Sequence, residues 1–386
     1  MLLAPLLTLL VQAPTAPRAV ETPPWIVVHS EPSVDFAGLG SPQLVLLPSG
    51  EYVAGFTYVG HHGTSAGLML AHSVNRGLTW TAGDTVKGSG DASLFVHDKF
   101  LWAMGIDGGL SAVSGQAVIR RSSDGGRTWT QPTDEAHGLL RGKESIGSDQ
   151  GAFVVHGERV WRPFLRNTYG EDSGARLYVR VASASLKSDW LDAASWRWSD
   201  EFESKMGEEH LANGGIQLGA LTADQLMLFL GRQSSTLPVL DVDPEGWRLS
   251  PHKGKSQARL PVNACSSRIA RDAQSGRFLA LIHADTMDTY DPRTRSARSL
   301  LVLWDSLDLV TWELKGILLQ DVARDHYDFG SADWAVDGDD LLVLAQLRSL
   351  REDEKDTCEK LVFLRVPDFR TRTADSPALW GSAAPR

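Results

Sequence analysis

An eight-residue stretch, Ser122-Ser123-Asp124-Gly125-Gly126-Arg127-Thr128-Trp129, narrows the possible folds more than any other part of the chain. It follows Gln116-Ala117-Val118-Ile119-Arg120-Arg121, a run with strand propensity, and its Thr-Trp pair opens another strand, so the segment reads as a tight β-hairpin. Asp124 can fold its carboxylate onto the N–H groups of its own turn, and glycine supplies backbone angles that other residues resist. Trp129 offers a large apolar plug beside the turn. A second copy is Ser73-Val74-Asn75-Arg76-Gly77-Leu78-Thr79-Trp80, with Asn in place of Asp. A worn third copy, Ser306-Leu307-Asp308-Leu309-Val310-Thr311-Trp312, has lost the glycine. The first two start 122 − 73 = 49 residues apart, a repeat period.

Around these turns one unit recurs six times: strand, short polar turn, strand. The hairpins pair 43–47 with 51–55, 93–96 with 99–103, 152–155 with 159–162, 215–218 with 225–230, 268–270 with 277–281, and 334–336 with 341–345. Turn centres at 49, 98, 157, 223, 274 and 338 are separated by 49, 59, 66, 51 and 64 residues, the size of one four-stranded propeller blade with its connections. Each sheet alone would expose both faces, and six packed round an axis bury them. The expectation is an all-β, six-bladed β-propeller. The lone strand Trp25-Ile26-Val27-Val28-His29-Ser30 then completes the last blade beside Lys360–Arg365 and latches the ring. The best helical signal, Ser188 to Ala194, reads as a single turn between strands. One propeller domain over 25–372 is expected, after a leader and linker over 1–20 and before a short polar tail over 373–386.

The 13 Trp suit repeats that each insert an aromatic plug. A net charge of −10 with no basic run argues against nucleic acid. The apolar run Met1–Val11 is too short to span a membrane and resembles the core of a secretory signal, so the chain is expected to be secreted or periplasmic. Cys265 and Cys358 read equally well as one disulfide or as two buried thiols. The stretch Gly63-Thr64-Ser65-Ala66-Gly67 fits a nucleophile elbow, but one of the repeated hairpin turns follows it where that motif needs a helix. Asp241-Val242-Asp243 and Asp337-Gly338-Asp339-Asp340 lack calcium-loop spacing and read as turns. No zinc spacing, phosphate loop or dinucleotide fingerprint is present, so neither metal nor cofactor is expected, and the protein is read as a monomer.

The pattern S-x-D-x-G-x-T-W resembles the Asp box of sialidases and related propeller proteins, where the box is a structural turn away from the active site. Further stretches resemble secreted sialidase-family proteins over nearly the whole mature chain: 192–199, 272–278, Asp333-Trp334, 337–340 and 366–370. The resemblance implies a glycoside hydrolase of exo-α-sialidase type acting on terminal, acidic sugars of glycans. Three arginines would clamp the substrate carboxylate, because a guanidinium offers paired N–H groups that match it. A Tyr assisted by a Glu would attack the anomeric carbon. A neutral nucleophile of this kind spares a second anion beside the substrate's own charge, and it sets sialidases apart from the paired carboxylates of most glycoside hydrolases. An acid/base group with a pKa near neutrality would move the proton.

Residue by residue, the implied set is incomplete. Gly40 stands where the first arginine is expected, two residues before Pro42. His61-His62-Gly63 replaces an Asp-His-Gly, which makes His61 the candidate acid/base. The Glu would fall near Leu211, with Glu208 and Glu209 displaced from it, and Glu209 is the candidate. Arg232 matches the second arginine, while Arg298 or Arg268 would be the third. The Tyr would fall near Ser331, with Tyr327 four residues earlier. His61, Glu209 and Tyr327 are therefore the candidate catalytic residues, and Arg232, Arg268, Arg298, His62 and Asp325 the candidate substrate-binding ones. The competing expectation, from another class, is a glycan-binding or scaffold propeller that has lost catalysis.

Overall fold

A computed structural model describes residues 24–31, 36–60, 65–108, 115–142, 153–170, 174–204, 216–222, 225–230, 236–252, 257–259, 268–284, 299–309, 311–321, 327–349 and 359–379. Almost all of them lie in six antiparallel sheets, the blades of a ring. Blade one holds β2 (Phe36–Leu46), β3 (Tyr52–Gly60), β4 (Ser65–Ser73) and β5 (Thr81–Ala82), and β1 (Ile26–Glu31) precedes it. Blade two holds β6 (Gly90–His97), β7 (Phe100–Asp107), β8 (Gln116–Ser122) and β9 (Leu139–Arg141). Blade three holds β10 (Val154–His156), β11 (Arg159–Gly170) and β12 (Gly174–Ser185), with β13 (Trp196–Trp198) and β14 (Phe202–Ser204) both on β12. Blade four holds β15 (Ile216–Thr222), β16 (Gln225–Leu230) and β17 (Thr236–Val242), with β18 (Leu249–Pro251) and β19 (Gln257–Arg259) both on β17. Blade five holds β20 (Ile269–Arg271), β21 (Phe278–Ala284), β22 (Leu300–Ser306) and β23 (Trp312–Gln320). Blade six holds β24 (Tyr327–Asp337), β25 (Asp340–Ser349) and β26 (Glu359–Val366).

The first strand closes the ring. β1 pairs with β26, Ile26 opposite Phe363 and Glu31 opposite Glu359, and so becomes the outermost strand of blade six. A strand from the other end of the chain thus covers the edge of β26 and latches the circle.

Six hydrophobic clusters, one at each blade interface, hold the ring together. The strand period of two decides which interface each residue serves. In β25, Leu341, Val343 and Ala345 face blade five, while Leu342 and Leu344 face blade one. In β21, Leu279 and Leu281 face blade six, while Phe278, Ala280 and Ile282 face blade four. Both faces of these strands are therefore apolar, so the hairpins read as continuous hydrophobic runs.

The three repeated turns join the third and fourth strands of blades one, two and five. In the second box along the chain, that of blade two, Asp124 accepts from the N–H groups of Arg127 (3.0 Å) and Thr128 (2.8 Å) and from the Thr128 hydroxyl (2.6 Å). Gly126 donates its N–H to Ser122 Oγ, and Trp129 Nε1 donates to the Gly126 carbonyl. The third copy makes the same bonds one residue shorter. Leu309 takes the place of Gly126, donating to Ser306 Oγ at 2.9 Å and accepting from Trp312 Nε1 at 3.3 Å. It does so at φ 61°, in the left-handed region, with its side chain buried in the apolar cluster that holds Phe278 and Ile282. Gly126 has no such room, because a Cβ there would meet Leu101 at 3.1 Å and Leu70 at 3.2 Å. The expected helical turn near Ser188–Ala194 is a bend followed by a single 3-10 turn, Ala193–Ser195, capped by Asp192. Asp189 and Asp192 each accept from the backbone two residues on, which competes with helix. The G-x-S-x-G stretch leads into strand β4. In the polar carboxyl-terminal segment, Leu379 donates its N–H to the Leu318 carbonyl at 2.9 Å.

Candidate functional site

The register gives the ring two unlike ends. Tight turns at 48–50, 98–99, 157–158, 272–277 and 337–339, together with the three boxes, occupy one end. At the opposite end, here called the mouth, stand Gly60 and Ser65, Ser204 and Ile216, Leu230 and Thr236, Ala284 and Leu300, and the start of β24 at Tyr327. These strand ends bound the segments that carry the sequence candidates. His61, His62, Glu209, Arg232, Arg298 and Asp325 themselves lie outside the described residues.

Tyr327 and Arg268 are described. Tyr327 opens β24, where its N–H donates to Asp321 Oδ2 at 2.9 Å and its ring meets Trp25 edge-on at 5.6 Å. Arg268 lies deeper. Its Nη1 donates to the Trp334 carbonyl at 3.3 Å and stands 3.6 Å from Asp333 Oδ1, its guanidinium lies over the Trp334 ring, and Trp334 Nε1 donates back to its carbonyl at 3.0 Å. Trp334 follows Tyr327 by seven residues, roughly 20 Å along a strand at about 3.3 Å per residue. The fold does not bring these two candidates together.

Sequence reasoning missed how the inner strands are joined beneath the mouth. β2, β6 and β24 carry matching irregularities, after Gly40, Gly90 and Phe329, each placing two residues of the inner strand against one of its neighbour. Such bulges re-aim side chains and release backbone groups from the ladder. Just past them, Asp333 Oδ2 accepts the Leu44 N–H at 2.7 Å, and Gln43 Oε1 accepts the Leu94 N–H at 3.1 Å. Asp333 thus touches blades five, six and one at once. Burial raises its pKa above 3.8, opposed by the Arg268 charge and the Leu44 N–H. The other acid runs have protein partners: Asp337 accepts from the Tyr52 hydroxyl and Arg76, and Asp241 meets His252 at 2.8 Å. Among the described residues no three His, Cys, Asp or Glu side chains converge as metal ligands, and no helix is long and apolar enough to cross a membrane.

The architecture is the sialidase-type six-bladed propeller. Over 86% of its length this chain superposes on 66% of a Hadza microbial sialidase, at a TM-score of 0.56 and 16% identity. It superposes over 90% on 98% of the Penicillium chrysogenum α-L-arabinanase complexed with arabinobiose, at 0.54 and 14% identity. The leech intramolecular trans-sialidase complexed with 2,7-anhydro-Neu5Ac matches 90% of the chain over 70% of its own, at 0.56 and 12% identity. At such identities the likeness shows the fold. No protein-family model and no curated protein sequence matches the chain.

Proposed function

We propose that the protein is an exported, monomeric glycoside hydrolase of exo-sialidase type that releases terminal acidic sugars from glycans at the mouth of the ring. One observation carries this reading: the strand ends bounding every candidate segment except that of Arg268 gather at one end of a fold shared with sialidases and an arabinanase. Arg232 and Arg298 would pair with the sugar carboxylate, with His62 and Asp325 on its hydroxyls. Arg298 takes the third arginine position because Arg268 is engaged with Asp333 and Trp334. Tyr327, assisted by Glu209, would attack the anomeric carbon, and His61 would protonate the leaving oxygen and then activate water.

The test is hydrolysis of a fluorogenic sialoside, with an arabinofuranoside alongside. Sialoside turnover that falls at least about 100-fold in kcat/KM in both Arg232→Ala and Tyr327→Phe is expected. Turnover indifferent to both changes removes the site, and turnover of the arabinofuranoside alone removes the acidic substrate. A specific observation favours the second reading, a glycan-binding propeller without catalysis. Gly40 and Ser331 stand on β2 and β24 where the family's Arg and Tyr are expected, and the Tyr327 ring already packs against Trp25. Saturable glycan binding with no turnover of any glycoside selects it.

A further inference from the structure

At the turn end, far from the mouth, a cavity of about 400 Å³ opens between the box of blade one and the box of blade two. Its floor is a polar pair, Glu51 and His72, whose side chains are only 11% and 10% exposed. Glu51 Oε1 accepts from Arg127 Nη2 at 2.7 Å and lies 3.1 Å from His72 Nδ1. Arg127 is itself fixed by the second box, since its Nη1 donates to the Asp124 carbonyl at 2.7 Å. The box therefore positions Arg127, Arg127 positions Glu51, and Glu51 orients the imidazole.

With Nδ1–H directed at the carboxylate, His72 Nε2 is left as an acceptor. That nitrogen has no hydrogen-bond partner among the described residues and remains accessible from the cavity. Burial lowers the pKa of His72 below 6.5 despite the Glu51 carboxylate, which keeps the ring neutral. Gly83 explains the opening. A Cβ there would lie 2.9 Å from both Cδ2 and Nε2 of His72, yet Gly83 is not in the left-handed region that would require glycine for the backbone. Its missing side chain leaves the imidazole edge uncovered. Thr81 and Asp84 supply a hydroxyl and a carboxylate at the exposed rim, and Val74 and Ala82 supply small apolar surfaces.

We propose that this cavity is a second carbohydrate site, which holds one neutral saccharide unit of a glycan. A sugar ring presents hydroxyls that both donate and accept beside a C–H face. One hydroxyl donates to His72 Nε2, another exchanges bonds with Asp84 and Thr81, and the C–H face rests on Val74 and Ala82. Glu51 and Asp84 outnumber Arg127, so the site disfavours the acidic sugars proposed for the mouth. The inference concerns binding and stands without the catalytic reading.

The experiment titrates the full-length protein with neutral disaccharides (lactose, cellobiose, maltose) and with 3′-sialyllactose, followed by calorimetry. At least one neutral disaccharide should bind with a Kd of about 1 mM. Gly83→Ala and Ala82→Trp should each weaken it at least tenfold while the melting temperature and circular dichroism hold, and Arg232→Ala should leave it unchanged. Ala82 is exposed on β5, so the tryptophan fills the cavity without entering the core. The inference fails if no neutral disaccharide saturates the protein, or if binding survives Ala82→Trp. It also fails if Arg232→Ala abolishes binding, or if sialyllactose competes at this site more strongly than the neutral sugars.

Discussion

Asp124, in a turn after β8, and Asp333, inside β24, are both carboxylates, and the fold drives them in opposite directions. Asp124 sits in an outer turn of blade two, and every bond it makes comes from within four residues of it. Burial pushes its pKa up, but the bonds from Thr128, Ser122 and Arg127 outweigh burial and hold it at about 2. Asp333 lies buried at the inner ring, with partners 289 residues away at Leu44 and 65 away at Arg268 (333 − 268). There burial prevails, and the carboxyl is pushed above 3.8. A turn that bonds its own acid makes an anion that is stable alone. A seam that imports its acid into a dry interface makes one that depends on a neighbour.

The largest test of this contrast removes that neighbour. Arg268→Met leaves a buried carboxylate without its cation and is expected to cost about 3 kcal/mol in denaturant unfolding at pH 7. The folded state raises the pKa of Asp333, so its contribution is full below pH 3.8 and declines as pH rises through the folded value. The cost of Arg268→Met should therefore shrink at pH 4, and Asp333→Asn in the same chain should recover more than half of it. Equal losses at pH 4 and pH 7 would break the comparison. A smaller effect comes from Asp124→Ala, expected to cost about 1–2 kcal/mol through the lost turn bonds. Here the folded pKa is depressed, so the contribution is full above pH 3.8 and disappears as pH falls through about 2. Asp124→Asn should abolish that acid dependence at little cost at pH 7. The smallest change is Asn75→Asp in the first box. Asn75 already accepts the Thr79 N–H at 2.9 Å, but its Nδ2 donates to the Thr79 hydroxyl, where Asp124 accepts from Thr128. A gain of about 0.5 kcal/mol at pH 7, lost on acidification to pH 2, is expected; an unchanged acid limb would show that the bonds of the second box do not transfer.

The boxes were legible because their bonds are local. Ser, Asp, Thr and Trp at fixed offsets contain every partner they need, so the turn can be read from its letters. The third copy shows the limit. Its missing glycine reads as wear, yet Leu309 adopts the same left-handed turn and fills the space between blades four and five. Whether that place must be glycine depends on neighbouring strands: Leu70 and Leu101 crowd it at the second box, while the apolar cluster around Phe278 takes in Leu309 at the third. The candidate site was legible only as residue types near a strand end. Arg268 and Tyr327 resembled partners in sequence, and the register of β24 separates them. Glu51, His72 and Gly83 gave no signal at all, because their relation exists only when the box of blade two lies against blade one.

By itself the sequence determined the repeat, the hairpins, the closing strand and the number of blades, since period-two patterning and self-bonded turns are properties of short segments. The tertiary structure alone decided which face of each strand meets which neighbour, where buried charges find partners, and which acceptor is left open to a ligand. Those outcomes depend on groups tens to hundreds of residues apart, and their energies are set by the water excluded when the blades close.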